Sequence, residues 1–339
     1  MLADVTPILM FPGQSSRDPA MIERALRLAP GANRRLVREA SDILGRDLLS
    51  HYRADNPAVF ATNRDVQVGV LLANHLHLRS LERVGITTEL SLGLSLGEYN
   101  HLVHIGALSF EDALRLVDAR GQAYDAGPEG AMAAIFPLDT PTLEAVVMRA
   151  RAAGALEIGG YNSPTQHVLS GERPAIEAAV RLLDEEYAVE AVVIEQRIPM
   201  HSKTFWPVVR VFVPALQRVA WKQIRRPYLP NATGRFLHQP TAGELIYSLC
   251  LHVWRPVRWR RSIDLLADHE PDAVFIEVGP RTVLSGLLQR RWRTNTKLHT
   301  DTLSDEDPAS AFDAVVRTLR TDAPRDTLAG RRQERGRRT

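Results

Sequence analysis

Cysteine occurs once in the 339 residues, at Cys250, so the chain can form no internal disulfide and no metal site built from several cysteines. No metal is expected. Lysine is nearly as scarce: three (Lys203, Lys222, Lys297) stand against 39 arginines, a bias of coding composition that says little about chemistry. No apolar run approaches the roughly 18 residues that a membrane-spanning helix needs. The opening MLADVTPILMF lacks the basic start and small-residue cleavage site of a secretion signal, so a cytoplasmic location is expected. Strong charge is missing too. The net charge is +2, and residues 331–338 (RRQERGRR) alone carry five Arg and one Glu, which leaves the body slightly acidic. That balance argues against a nucleic-acid-binding surface. Residues 322–339 are expected to be a disordered, solvated basic tail.

What is present is ordinary for a globular α/β protein: 45% hydrophobic and 24% charged residues. The length exceeds the usual single domain and predicts one large α/β domain carrying a smaller insertion, or two domains. The run Val5–Phe11, closed by Pro12-Gly13, reads as a buried strand entering a loop. Helical spacing covers 19–29, 32–49 and about Asn63–Val84, where Val66, Val70, Leu71, Asn74 and Leu78 share one face. A strand over Thr88–Leu94 is followed by a helix immediately after Ser95. Another helix follows Ser109, a suitable N-cap with Asp112 at the third helical position.

From about Gly130 the texture changes. Short strands at 131–137, 155–160, 167–170 and 189–194 alternate with helices near 140–153 and 174–187, the order of a ferredoxin-like unit. Longer helices then resume (203–220, 241–252, 260–268), followed by a strand at Ala273–Glu277 and a Gly279-Pro280 turn.

The chemistry centres on Gly93-Leu94-Ser95-Leu96-Gly97, which fits G-x-S-x-G. That pattern puts a serine on a sharp strand-to-helix turn, exposed to a cleft, with the next helix aiming its N–H groups at a developing oxyanion. A serine nucleophile needs a base, and eleven histidines are available. His75, His77, His101 and His104 read as surface or core-edge imidazoles. His201, in Pro199-Met200-His201-Ser202, stands in a loop just before a helix, where catalytic residues concentrate.

Several segments, in a fixed order over residues 6–290, resemble the malonyl-CoA:acyl-carrier-protein transacylase family, whose fold is shared with the acyltransferase domains of polyketide synthases. They are Phe11-Pro12-Gly13-Gln14, the elbow through Glu98-Tyr99, and Gly106–Ala113 followed by Arg120-Gly121. Asn162–Gln166 with Ser170-Gly171, Pro199–Ser202, Pro256–Trp259 and Glu277–Pro280 complete the series.

The resemblance implies an α/β-hydrolase-like large domain (1–128 and 198–321) with an inserted ferredoxin-like small domain (129–197). It implies Ser95 as nucleophile, His201 as general base, and the backbone N–H groups of Gln14 and Leu96 as oxyanion hole. A backbone carbonyl in the segment before Pro256 would orient His201, so no third acid is required. Arg120 would hold the free carboxylate of the acyl group; the competing reading pairs it with Asp118 or Glu111. Met200, Asn162 and His252 are further substrate-binding candidates.

The implied reaction is ping-pong transfer of a malonyl or related dicarboxylic group from coenzyme A to the phosphopantetheine thiol of an acyl carrier protein. No bound cofactor is expected, and the chain should be a monomer. The alternatives are transfer between two carrier proteins, hydrolysis of acyl chains stalled on a carrier, and a non-catalytic docking protein. The chain departs from the family pattern at Leu94 (usually His), Ser15, Arg17, Met200, His252 and Arg281. Most of these would stand around the pocket, so the acyl group is less firmly implied than the chemistry.

Overall fold

The computed structural model describes residues 6–288, 296–302 and 309–321; the expected basic tail lies outside them. Two sheets organise the chain. The first is parallel, in the order β2-β1-β7-β8: β1 Pro7–Phe11, β2 Leu90–Gly93, β7 Val274–Glu277 and β8 Lys297–His299. β1 is central, with Ile8 paired to both Leu90 and Phe275. Its residues Ile8, Leu9, Met10 and Phe11 are buried on both faces, as an unbroken apolar run requires in a parallel sheet covered on each side.

The second sheet is antiparallel, in the order β4-β5-β3-β6: β3 Ala131–Ile135, β4 Leu156–Tyr161, β5 His167–Gly171 and β6 Ala191–Glu195. The helices Thr140–Ala150 and Arg173–Tyr187 connect β3 to β4 and β5 to β6. Leu143, Val146, Leu169, Ile176 and Leu183 form a core of their own, separate from that of the parallel sheet. The two parts are stitched where Tyr161 N–H donates to Val257 O (2.9 Å) and Val257 N–H donates to Gly159 O (2.9 Å).

The helix Asn63–Arg83 differs from its expected single-faced burial. Val66, Val68, Val70, Leu72, Ala73 and Asn74 are all buried, because neighbouring helices enclose it on every side. The expected helix 32–49 divides into Pro30–Leu44 and Leu48–His51, with Gly45 in the left-handed conformation (φ 65°) ending the first. Ser109 caps Phe110–Asp125 as expected, accepting from Asp112 N–H at 3.0 Å.

Three of the histidines read as surface or core-edge groups, His75, His77 and His101, are interior instead, while His104 is partly exposed at the edge of the core. His75 stacks flat on Phe110 with ring centroids 3.7 Å apart, and His77 and His101 are almost fully buried. His101 Nε2 accepts from Leu229 N–H, so its Nδ1–H donates to Ser91, whose hydroxyl in turn donates to His104 Nδ1. Burial holds all four below the ordinary 6.5, at about 3 for His75 and His101 and about 4 for His77 and His104.

Between those values the unfolded chain binds protons that the folded chain refuses, so stability present above pH 6.5 is lost as the pH falls. Each such imidazole contributes a loss of about 1.4 kcal/mol per pH unit. The melting temperature is therefore expected to fall steadily from pH 6.5 toward pH 4.5 in calorimetry. A flat profile over that range would contradict the buried neutral imidazoles.

Candidate active site

Ser95 follows β2 and precedes the helix Gly97–His104, with a left-handed backbone (φ 48°). A non-glycine residue in that region is uncommon and costs on the order of 1–3 kcal/mol unless its surroundings hold it. The flanking glycines are needed for space. A Cβ on Gly93 would lie 2.0 Å from the Gly97 backbone, and one on Gly97 would lie 2.0 Å from Phe11 O. The elbow is thus pressed against the end of β1, where Leu94 N–H also donates to Phe11 O (2.9 Å).

Ser95 Oγ lies 2.9 Å from His201 Nε2. His201 Nδ1 lies 2.9 Å from the backbone carbonyl of His252. A carbonyl can only accept, so Nδ1 carries the ring proton and Nε2 is left to accept from the Ser95 hydroxyl. Burial, followed by the Arg120 charge, pushes the imidazole down to about 3, against the opposing His252 carbonyl. His201 is therefore an uncharged imidazole throughout the neutral range.

The loop after β1 forms the other wall. Asn74 Nδ2 donates to Pro12 O (3.0 Å), and Gln14–Ser16 makes a single 3-10 turn. The backbone N–H groups of Gln14 and Leu96 meet no acceptor among the described residues. Ser95 and His201 open on a pocket of about 270 Å³ whose walls include Gln14, Arg17, Met132, Asn162, Val168 and Met200.

Arg120 lies deeper and does not line that pocket; its side chain is fully buried. Its Nη1 donates to Gln67 Oε1 (2.6 Å), and its guanidinium carbon stands 4.1 Å from the Tyr124 ring centroid and 5.4 Å from that of Tyr99. Neither acid proposed as an alternative partner reaches it. Asp118 is bound by Arg64 (2.7 and 2.9 Å), and Glu111 pairs with Arg115 (2.8 Å). Arg120 Nε and Nη2, Gln67 Nε2, and the hydroxyls of Tyr99 and Tyr124 have no hydrogen-bond partner among the described residues. Buried donors around an unpaired guanidinium suit a carboxylate.

The structure thus brings Ser95, His201, Gln14, Met200 and Asn162 around one pocket. His252 is elsewhere: its carbonyl holds His201, while its ring is buried beneath the dyad, 5.2 Å from the His201 ring. Sequence reasoning passed over three residues. Asn231 clamps the elbow, accepting from Ser95 N–H (2.7 Å) and donating to Gly93 O (2.6 Å). Gln67 braces Arg120, and Glu98 lies fully buried beside them. Gln67 and Asn74 could have been flagged, since two amides seven residues apart interrupt an otherwise apolar stretch. Asn231, in a Pro-Asn-Ala-Thr-Gly turn, signals only a loop. Among the described residues, no group of three or more His, Cys, Asp or Glu side chains is placed to hold a metal ion.

The chain is similar to known proteins over most of its length. The acyl transferase domain family matches residues 11–334. A malonyl CoA-acyl carrier protein transacylase from Bacillus subtilis is 32% identical over 316 residues, covering 92% of this chain and 96% of that protein. The crystal structure of a transacylase of the same name from Clostridium perfringens superposes with a TM-score of 0.84 at 25% identity, covering 94% and 98% of the two chains. A malonyl-transacylase solved in complex with its type II polyketide synthase acyl carrier protein superposes with a TM-score of 0.80 at 26% identity. It covers 87% of this chain and 95% of that one.

Proposed function

The chain belongs to the acyl transferase domain family, and from that membership we propose that it moves a malonyl, or closely related dicarboxylic, group from coenzyme A to the phosphopantetheine thiol of an acyl carrier protein. The observation that carries the acyl assignment is Arg120: a fully buried guanidinium with unpaired donors and no ion pair to an acid among the described residues. A free carboxylate satisfies it through two parallel hydrogen bonds, and a neutral acyl chain leaves it unsatisfied. Because the guanidinium has no exposure, the pocket wall must yield to admit the acyl end. Met132 and Met200 are its flexible members.

In this reading Ser95 Oγ attacks the thioester carbonyl as its proton passes to His201 Nε2. The tetrahedral oxyanion is held by Gln14 and Leu96 N–H, each such donor being worth about 100- to 1,000-fold in turnover. Collapse breaks the C–S bond, and the proton on His201 leaves with the coenzyme A sulfur. The carrier thiol then gives its proton to His201, attacks the Ser95 ester, and restores the serine hydroxyl. Asn162 would border the entering acyl arm. His252 would act through its carbonyl. Every group needed is supplied by the chain and its two thiol substrates, so no bound cofactor enters the scheme.

We read the parallel sheet and its helices (1–128 and 198–321) as an α/β-hydrolase-like domain. The strand–helix–strand repeat at 129–197, with its separate core, supports an inserted ferredoxin-like unit. No described helix is long and apolar enough to cross a membrane. An enzyme drawing on coenzyme A esters and carrier proteins is placed in the cytoplasm.

Incubation with malonyl-CoA is expected to raise the mass of the intact protein by about 86 Da, on Ser95, as an ester. Addition of a carrier protein bearing its phosphopantetheine arm should remove the adduct and malonylate that thiol. No adduct, together with hydrolysis of acyl-carrier thioesters, would instead support the hydrolase alternative.

A further inference from the structure

Ser95 and His201 come from segments 106 residues apart, and each is held by a different buried element. Asn231, in the loop after Pro230, fastens Ser95 by its backbone and bridges to Gly93 O. His252, in the last turn of the helix Ala242–Trp254, fixes the ring of His201 through its carbonyl. Both holders meet on one side chain. Glu98 Oε2 accepts from Asn231 N–H at 3.2 Å and lies 3.5 Å from His252 Nδ1, while Oε1 accepts the hydroxyl of Tyr228. Glu98 is fully buried and is not among the residues lining the acyl pocket.

We propose that Glu98 is a positioning residue that couples the two halves of the dyad, through Asn231 to Ser95 and through His252 to His201. The proposal rests on the Ser95–His201 reading above and adds to it a residue that touches neither substrate nor reacting atoms.

The chemistry suits a carboxyl group. Its two oxygens offer about four lone-pair directions, enough to accept from one loop on each oxygen and still address the imidazole. An amide of the same shape offers one acceptor oxygen and one NH2 group. In either orientation its NH2 meets a donor, Asn231 N–H or the Tyr228 hydroxyl. Burial pushes the Glu98 carboxyl up to about 8, against the hydrogen bonds from Tyr228 and Asn231, so it keeps its proton near neutrality. The one direction without a donor is toward His252 Nδ1, which has no other partner among the described residues. Ser95 (φ 48°) and His201 (φ 62°) both hold left-handed backbones, and such conformations persist only where neighbours over-determine them. Glu98 holds Asn231, which fixes the Ser95 backbone, and adjoins His252, next in sequence to Val253, whose carbonyl accepts from the His201 backbone N–H at 3.1 Å.

The test uses Glu98→Gln, Glu98→Ala and Tyr228→Phe in the full-length protein. One measurement is kcat and KM with malonyl-CoA. The other is the rate at which an alkyl fluorophosphonate labels Ser95, which needs the dyad but not Arg120. Misplacing reacting groups by about 1 Å costs roughly 100-fold, so Glu98→Gln should lower both kcat and the labelling rate by about that factor. KM should change less than about threefold, because the substrate contacts are untouched. Tyr228→Phe, which removes a single hydrogen bond, should show the same kcat-only pattern at about 3- to 10-fold. Combining Glu98→Gln with Asn231→Ala should cost less than the product of the single losses, since both act on Ser95 by one route.

Folded Glu98→Gln labelled at the wild-type rate overturns the proposal. So does a loss that disappears when rates are expressed per folded molecule. If Glu98→Ala does not fold, the Gln and Tyr228→Phe variants decide the matter. A wild-type protein that takes no label at Ser95 defeats the underlying dyad reading instead, so the two failures are distinguishable.

Discussion

Replacing His201 with Ala is expected to lower kcat by about 1,000- to 10,000-fold at neutral pH, the upper range for loss of a general acid–base group. The expectation rests on geometry that leaves the ring one role. Nδ1 is committed to the His252 carbonyl at 2.9 Å, and Nε2 faces the Ser95 hydroxyl at 2.9 Å. Burial and the Arg120 charge hold the imidazole near 3, so it is uncharged wherever the enzyme would work. The sign of the pH dependence follows. Activity is present above the folded value and lost as the pH falls through it, so the acid limb of kcat/KM in the wild type should lie well below pH 6. Stopped-flow measurement of the acyl-enzyme burst checks the mutation. An undiminished burst in the His201 variant would contradict its role as base.

Arg120→Ala should reduce kcat/KM for malonyl-CoA by about 100- to 1,000-fold, as expected for truncating one partner of a buried charged pair. Acetyl-CoA should be affected less than about threefold, because a neutral acyl group has nothing to offer the guanidinium. Asp118 and Glu111 are engaged by other arginines, so no internal ion pair competes for the clamp. Tyr124 and Tyr99 flank the guanidinium, and Gln67 fixes one of its nitrogens. Arg120→Lys should not rescue, since an ammonium cannot reproduce a planar two-point contact. The same loss of the Arg120 charge should also move the acid limb of the pH profile upward, because protonating His201 becomes easier. Equal losses for malonyl and acetyl transfer would show that Arg120 supports the fold and does not select the acyl group.

Much of the fold was legible because local rules and tertiary packing agree along most of the chain. The apolar run ending at Phe11 is the central strand, and Ser109 caps its helix. The four short strands after Gly130 pair as one antiparallel sheet. The misreadings fall where tertiary context outweighed local pattern. The spacing of helix Asn63–Arg83 gives one face of Val66, Val70, Leu71, Asn74 and Leu78, yet the polar Gln67, His75 and His77 outside that set are buried too. The helix Ser310–Thr321, with Phe312, Val315, Val316 and Leu319 at helical spacing, was legible but not expected; β8 carries no strong local signal and was not expected either. Three residues make a strand only because β7 offers a parallel edge beside them.

The sequence by itself points to the proposed reacting groups. A serine between two glycines is a weak signal alone, but the strand before it, the helix after it and the ordered motifs around it point to a nucleophile, a base, an oxyanion loop and an arginine. These are local patterns, or patterns in fixed order, and both survive in one dimension. Tertiary structure alone decided how those groups are held. Asn231 on Ser95, the His252 carbonyl on His201, and Glu98 between them are contacts across 51 residues or more, without helical or strand period to announce them. It also decided that Arg120 makes no ion pair among the described residues. Whether a buried charge is paired depends on which side chains fold against it, and neighbours in sequence such as Asp118 can turn away to other partners.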